Sequence, residues 1–161
     1  MITILSGGQT GVDRAALDAA LAAGIRAGGW CPEGRKAEDG RISDNYPLQE
    51  LPGADYLQRT ERNVADSDAT LIIHFGQVQG GTARTLEFCK TWCKPHLLID
   101  GTRLSEAEAV GQIAEFIDRE EVSRLNVAGP RASGEPQAYR YTLQTLTLML
   151  SGYPNEGSSH A

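Results

Sequence analysis

The sequence predicts an α/β fold, an open and mainly parallel sheet covered on both faces by helices. Three observations carry that expectation. Short apolar runs alternate with longer helical segments along the whole chain, the pattern of repeated βα units. Three of those runs end in turns rich in Gly, Ser and Thr, at residues 6–11, 76–82 and 129–134. Finally, 161 residues are enough for one domain to bury a core without staples.

The elements follow in order. Ile2-Thr3-Ile4-Leu5 is a short β-rich run, and residues 12–23 form a helix, apolar almost all round and so sandwiched against a sheet. Gly24 ends that helix, and residues 25–30 return as a strand. Residues 31–54 show no regular period, only prolines and glycines among charges, and a loop so long is usually functional or mobile. Residues 56–67 are a polar helix with Arg59, Arg62 or Asn63, and Asp66 at three- and four-residue spacing. Residues 69–75 are a buried strand, followed by the second glycine turn and a helix to about Cys93. Residues 95–100 are a strand, and Ser105 with Glu108 forms a capping-box pattern for a helix to about Glu120. Residues 125–128 make the last strand, and residues 136–150 the last helix. The expected organisation is one domain over 1–153 with a frayed tail over 154–161.

A net charge of −6 argues against a general role on nucleic acid or on an anionic membrane. No apolar run reaches the roughly 18 residues of a membrane span. The N-terminus has no basic region followed by an apolar stretch and cleavage site. Three cysteines, Cys31, Cys89 and Cys93, are an odd set, which suits a reducing cytoplasm. Cys89 and Cys93 are four apart and would share a helix face, as buried structural thiols or as a metal pair lacking an obvious further ligand; no metal site is assigned.

The opening loop Ser6-Gly7-Gly8-Gln9-Thr10-Gly11-Val12-Asp13 joins a strand to a helix. Its glycines let backbone N–H groups approach a ligand, and the first helical turn aims unpaired N–H groups at the same point. Ser6, Thr10 and Asp13 can cap that turn or touch an oxyanion. The spacing is neither G-x-G-x-x-G nor a Walker loop, so the glycines serve an anion or simply close strand–helix packing. In an open α/β sheet the three turns gather at the carboxyl edge, where ligands bind at a switch point. Trp30, Tyr46 and Tyr56 are candidate stacking surfaces or ordinary packing. Arg35, Lys36 and Arg41 read as a lid closing over an anion or as a solvated charged loop. His74 faces either the crevice or the core, and Leu143, Leu146 and Leu150 serve a subunit interface or the sheet.

Residues 59–87 carry a resemblance. Arg59 opens a helix, Ser67-Asp68-Ala69 precedes a strand, and Gly80-Gly81 is followed by Glu87. This resembles the SLOG superfamily of nucleotide-binding Rossmann-like proteins, whose enzymes include phosphoribohydrolases once labelled lysine decarboxylases. Their signature is an Arg-Lys pair, Ser-Asp-Ala, then P-G-G-x-G-T-x-x-E. Here Thr60 replaces the lysine, Gln79 the proline, Ala83 the third glycine and Arg84 the threonine. The segment around Gly129-Pro130-Arg131-Ala132-Ser133, with Tyr139, looks like the superfamily's first unit moved to the C-terminus.

With that order, Ser6 to Arg14, Ala37-Glu38-Asp39-Gly40, Arg59-Thr60, Asn63-Val64 and Asn126 to Arg131 are similar to proteins named molybdenum cofactor carriers, a circularly permuted branch. The resemblance implies a Rossmann-like three-layer sandwich, circularly permuted, that binds a phosphate-bearing heterocycle, with molybdenum cofactor as cargo. The implied binding residues are Ser6, Gly7, Gly8, Gln9, Thr10, Gly11, Asp13, Arg59, Gly80, Gly81, Thr82, Arg84, Gly129, Arg131 and Ser133. Arg84 would bind phosphate as a fork. The alternative is a nucleotide ligand in an enzyme or sensor of phosphoribohydrolase type. There Arg59 and Glu87 would be catalytic, Glu87 stabilising an oxocarbenium-like centre. Implied partners are molybdoenzyme recipients and further copies of the chain, as a dimer or tetramer.

Overall fold

A computed structural model describes residues 1–154; the expected tail lies outside the described residues from 155 onward. Among the described residues the central sheet has five strands, all parallel: β1 (Thr3–Leu5), β2 (Arg26–Gly28), β7 (Ala69–His74), β8 (His96–Asp100) and β9 (Arg124–Ala128). Between β2 and β7 lie four shorter strands, β3 (Trp30–Pro32), β4 (Lys36–Ala37), β5 (Gly40–Arg41) and β6 (Gln49–Leu51). The helices are α1 (Val12–Ala22), α2 (Tyr56–Asp66), α3 (Gly80–Thr91), α4 (Glu106–Arg119) and α5 (Ala138–Leu150).

The strand order is β2-β1-β9-β7-β8. Counted from β9 as first, it becomes 3-2-1-4-5, the Rossmann order. The permutation is thus visible in the sheet itself, because the last strand of the chain occupies the central position. Helix α5 packs on both α1 and α4, and α2 packs on α3. Right-handed crossovers put these two groups on opposite faces of the sheet.

Period-2 alternation sorts the strand side chains between those faces. Leu71 and Ile73 of β7, with Leu125 and Val127 of β9, join Ile113, Phe116, Leu146 and Met149 in the main core. Thr70 points to the other face and meets Asn126 there at 3.3 Å. Leu146 and Leu150 are buried in the core and Leu143 packs against it, so this stripe of α5 serves the sheet side.

The expected strand at 25–30 is broken in two. Gly29 has φ +129° and sends the chain out of the central sheet, so β3 pairs with β6 in a separate parallel ribbon. The segment 31–54, expected to lack regular structure, is a small subdomain. Strands of two or three residues are too short to show a period. Cys31, Ile42 and Leu48 bury against Leu17 of α1 as a second core. Arg35 is buried at its centre, with its guanidinium donating to the carbonyls of Ile42, Ser43, Tyr46 and Leu48 at 2.7–3.1 Å. It organises this segment and does not close over a ligand, while Arg41 pairs with Asp44 at 2.9 Å. Cys93 is exposed with φ +52°, two residues past the end of α3, so it does not share a helix face with buried Cys89.

Asp18 of α1 fastens the subdomain. Its carboxylate accepts the Tyr46 hydroxyl at 2.6 Å and the Tyr139 hydroxyl of α5 at 2.5 Å. Burial, with Asp18 as acceptor, pushes both phenols up to about 12. Burial and the nearby Glu106 do the same to Tyr141. These hydroxyls are neutral in the folded chain where an unfolded tyrosine, titrating near 10, already ionises. Their contribution is therefore complete below pH about 10 and is lost as pH rises through about 12. The urea midpoint should fall steeply across that window, and Tyr46→Phe with Tyr139→Phe should flatten the fall. An unchanged slope in the double variant would remove these two phenols as its cause.

Candidate functional site

The carboxyl edge of the sheet opens into a crevice of about 240 Å³. Gly7 and Gln9 reach it from the turn after β1, and Asp13 from the first turn of α1. Arg59, Thr60 and Asn63 come from α2, and Gln79 to Thr82 with Thr85 from the start of α3. Asn126 to Gly129 form its floor at the end of β9, and Pro130, Arg131 and Gly134 continue from the turn beyond. All three glycine turns meet here, at the point where the Rossmann order reverses.

At its base lies an ion pair. Arg59 Nη1 stands 3.0 Å from Asp13 Oδ2, with both side chains about nine-tenths buried. Burial raises the Asp13 carboxyl above its ordinary range, against the pull of Arg59 beside it. Gly7 is required by this pair, because an ideal Cβ on it would overlap the guanidinium. Tyr56, opening α2 from an Asp55 capping box, lies beneath both cations. Arg59 is 5.8 Å and Arg131 5.5 Å from its ring centroid.

The opening loop turns most of its N–H groups inward. Gly8 N donates to Ser6 Oγ, Gln9 N to Asp13 Oδ2, Thr10 N to Gln9 Oε1, and Val12 N to the Pro130 carbonyl. Ser6 in turn donates to the Asp13 carbonyl at 2.9 Å. Gly8 packs toward Ile42 and Leu48, and Gly11 against Pro130 and Ala132. Ser6, Gly8, Thr10 and Gly11 thus build the loop, while Gly7, Gln9 and Asp13 face the crevice.

The open donors lie elsewhere. The N-terminus of α3 has no side-chain cap and no acidic residue in its first turn. Cβ atoms added at Gly80 and Gly81 would meet nothing within 4 Å. Here the helix dipole and unpaired N–H groups face the crevice without a protein counter-charge. Two buried donors join them, since Gln9 Nε2 and Arg59 Nε have no hydrogen-bond partner among the described residues. Gln9 Oε1 is fixed by Thr10 N and Glu38 N, so its amide has one orientation.

The remaining predicted residues fall outside the lining. Arg84 and Glu87 are exposed on α3 and pair with each other at 3.4 Å. Glu87 is therefore not among the residues that line the crevice with Arg59. Ser133 sits at the rim, bonded to Glu38. None of Trp30, Tyr46 and Tyr56 lines the crevice. Trp30 is spent on Asp66 and stacked under Arg62, and Tyr46 on Asp18 and Arg14. His74 Nδ1 is buried without a hydrogen-bond partner among the described residues and is not in the lining. Thr60, Gln79, Thr85 and Asn126 line the crevice without having been singled out as binding residues. Asn126 and Thr85 sit in ordinary strand and helix patterns, where only their burial as polar side chains marks them.

The model of the circularly permutated YpsA SLOG family matches residues 4–150 of this chain. The chain belongs to that family. A solved structure from Syntrophus aciditrophicus SB, named "Putative molybdenum carrier protein", is 47% identical. The match covers 93% of this chain and 95% of that one, with a TM-score of 0.91. No curated protein matches the chain. The permuted SLOG assignment accords with the strand order, with a central β9 that follows α4 and, among the described residues, precedes only α5. No helix among the described residues of this family member is long and apolar enough to cross a membrane.

Proposed function

We propose that this permuted SLOG protein binds a phosphate-bearing heterocycle and acts as a carrier or store of molybdenum cofactor. The observation that carries the reading is the open N-terminus of α3 at Gly80-Gly81-Thr82, facing two buried donors that lack partners. The donor set suits a phosphate or an oxo group: backbone N–H, an amide N–H and a guanidinium N–H. Among the described residues there is no cluster of His, Cys, Asp or Glu able to hold a metal ion. Molybdenum would therefore arrive with the ligands of its own cofactor, its oxyanion groups taken by these donors. The two crevice cations have carboxylate neighbours, Arg59 with Asp13 and Arg131 with Glu38. Dipoles rather than surplus positive charge would hold the cargo, which suits a protein that must release it. The relative's name, a molybdenum carrier, supports a cargo that contains molybdenum.

The test is native mass spectrometry of protein purified gently from cells that make molybdenum cofactor. The expected spectrum contains a bound mass with molybdenum's broad isotope envelope. A nucleotide mass instead would overturn the carrier reading. The companion variant is Gly81→Asp. A carboxylate in the first turn of α3 meets open space and a favourable dipole, so the thermal midpoint should hold or rise. The same carboxylate fills the anion position, so the molybdenum mass should vanish. Retention of cargo by Gly81→Asp would remove α3 from the site.

A further inference from the structure

A carboxylate of the protein's own stands where the other two glycine turns meet. Glu38 lies at the tip of the β4–β5 hairpin, between Ala37 and Gly40. It accepts the Ser133 N–H at 3.1 Å, the Ser133 hydroxyl at 2.5 Å and the Thr10 hydroxyl, and faces Arg131 at 3.9 Å. One backbone N–H, two hydroxyls and a guanidinium are the donor set of an oxyanion subsite. Those hydroxyls hold the Glu38 carboxyl below its usual range. The Glu38 N–H also donates to Gln9 Oε1 at 2.9 Å, so the hairpin sets the amide whose free nitrogen faces the crevice.

Two further observations bear on the role of this contact. The crevice, at about 240 Å³, is smaller than the roughly 300–1,000 Å³ of ordinary small-molecule sites. At its tip the hairpin is also held by the Glu38 N–H to Gln9 Oε1 bond and by the two-bond Asp39–Arg14 pair at 3.0 and 3.2 Å, with the Asp39 carboxylate half exposed. Polar contacts at the rim thus hold the hairpin tip against the crevice.

We propose that Glu38 is an internal counter-anion: it latches the hairpin to the crevice rim in the free protein, and an anionic group of the ligand displaces it from Thr10, Ser133 and Arg131. The proposal rests on the reading of the crevice as an anion-binding site. It adds a second anion subsite, on the turn after β9, and a coupling between loading and opening. A ligand carrying two acidic groups would engage both the start of α3 and the vacated donors. A ligand with one would leave the latch closed.

Two readouts on the full chain decide it. Hydrogen exchange of the free protein compares wild type with Glu38→Ala and with Glu38→Asp, which keeps the charge but falls one methylene short. Exchange at residues 36–41 and 131–134 should rise roughly tenfold in both variants, and unchanged exchange overturns the latch. Calorimetric titration with inorganic pyrophosphate then compares affinities. Glu38→Ala should bind roughly tenfold more tightly than wild type, because no carboxylate has to leave, and adding Ser133→Ala should abolish the gain. Equal affinity, or no binding by either protein, overturns the displacement. A molybdenum-free mass spectrum would defeat the carrier reading while leaving both of these readouts in force.

Discussion

Replacing Asp13 by alanine should lower the free energy of unfolding by about 3–5 kcal/mol, the cost of stranding one member of a buried ion pair. Arg59 is 8% exposed, and its Nε already lacks a hydrogen-bond partner among the described residues. Its described polar partner is the Asp13 carboxylate. That carboxylate also accepts the Gln9 N–H at 3.3 Å, so alanine leaves a second donor unpaired. Arg59→Met in the same chain should recover much of the loss, since the stranded charge goes with it. Chemical denaturation of the two single variants and the double variant closes this cycle. Added inorganic phosphate should raise the midpoint of Asp13→Ala more than that of wild type, because the anion then supplies the missing counter-charge. Equal phosphate shifts would mean that the anion binds away from Arg59.

The alternation of strands and helices was legible because runs such as β7 are apolar and the helices between them are longer, two of them opening on capping boxes. Ser105 with Glu108 does form the capping box its spacing implies, with Ser105 Oγ accepting the Glu108 N–H at 3.2 Å. Convergence of three turns was legible from topology alone. The division of labour among them was not. A glycine-rich turn before a helix looks the same whether its N–H groups point to a ligand or inward. Which occurs is decided by Ser6, Gln9 and the Asp13 carboxylate as acceptors, and by a Pro130 carbonyl far off in sequence. Arg84 likewise reads as a phosphate ligand until its position on α3 shows it turned outward to Glu87. The segment 31–54 hid its order because Arg35, a charged residue, forms its centre. The two-residue turn that brings Glu38 to the rim is Glu38-Asp39, between paired Ala37 and Gly40, one residue earlier than an Asp-Gly turn signal would place it.

Gly29→Ala should be as damaging as the loss of Asp13, although Gly29 lies outside the crevice lining. Its φ of +129° is one that L side chains rarely adopt. An added Cβ there would overlap the Ser6 carbonyl and stand 2.9 Å from the Ser6 nitrogen, backbone atoms with little room to move. Strain of about 1–3 kcal/mol and overpacking of about 1–3 kcal/mol sum to roughly 2–6 kcal/mol. The damage should also reach the site. Ser6 N donates to the Gly28 carbonyl, and Ser6 Oγ holds both the Gly8 N–H and the Asp13 carbonyl. Pushing Ser6 therefore shifts the loop that carries Gly7, Gln9 and Asp13. Gly53→Ala is the control, with φ +70° but nothing within 4 Å of the new Cβ. It should cost only the left-handed strain, about 1–2 kcal/mol, and leave phosphate binding unchanged. Urea midpoints and phosphate titrations of the two variants separate these effects. If both alanines cost the same and bind phosphate alike, the contact between Gly29 and Ser6 does not set the loop.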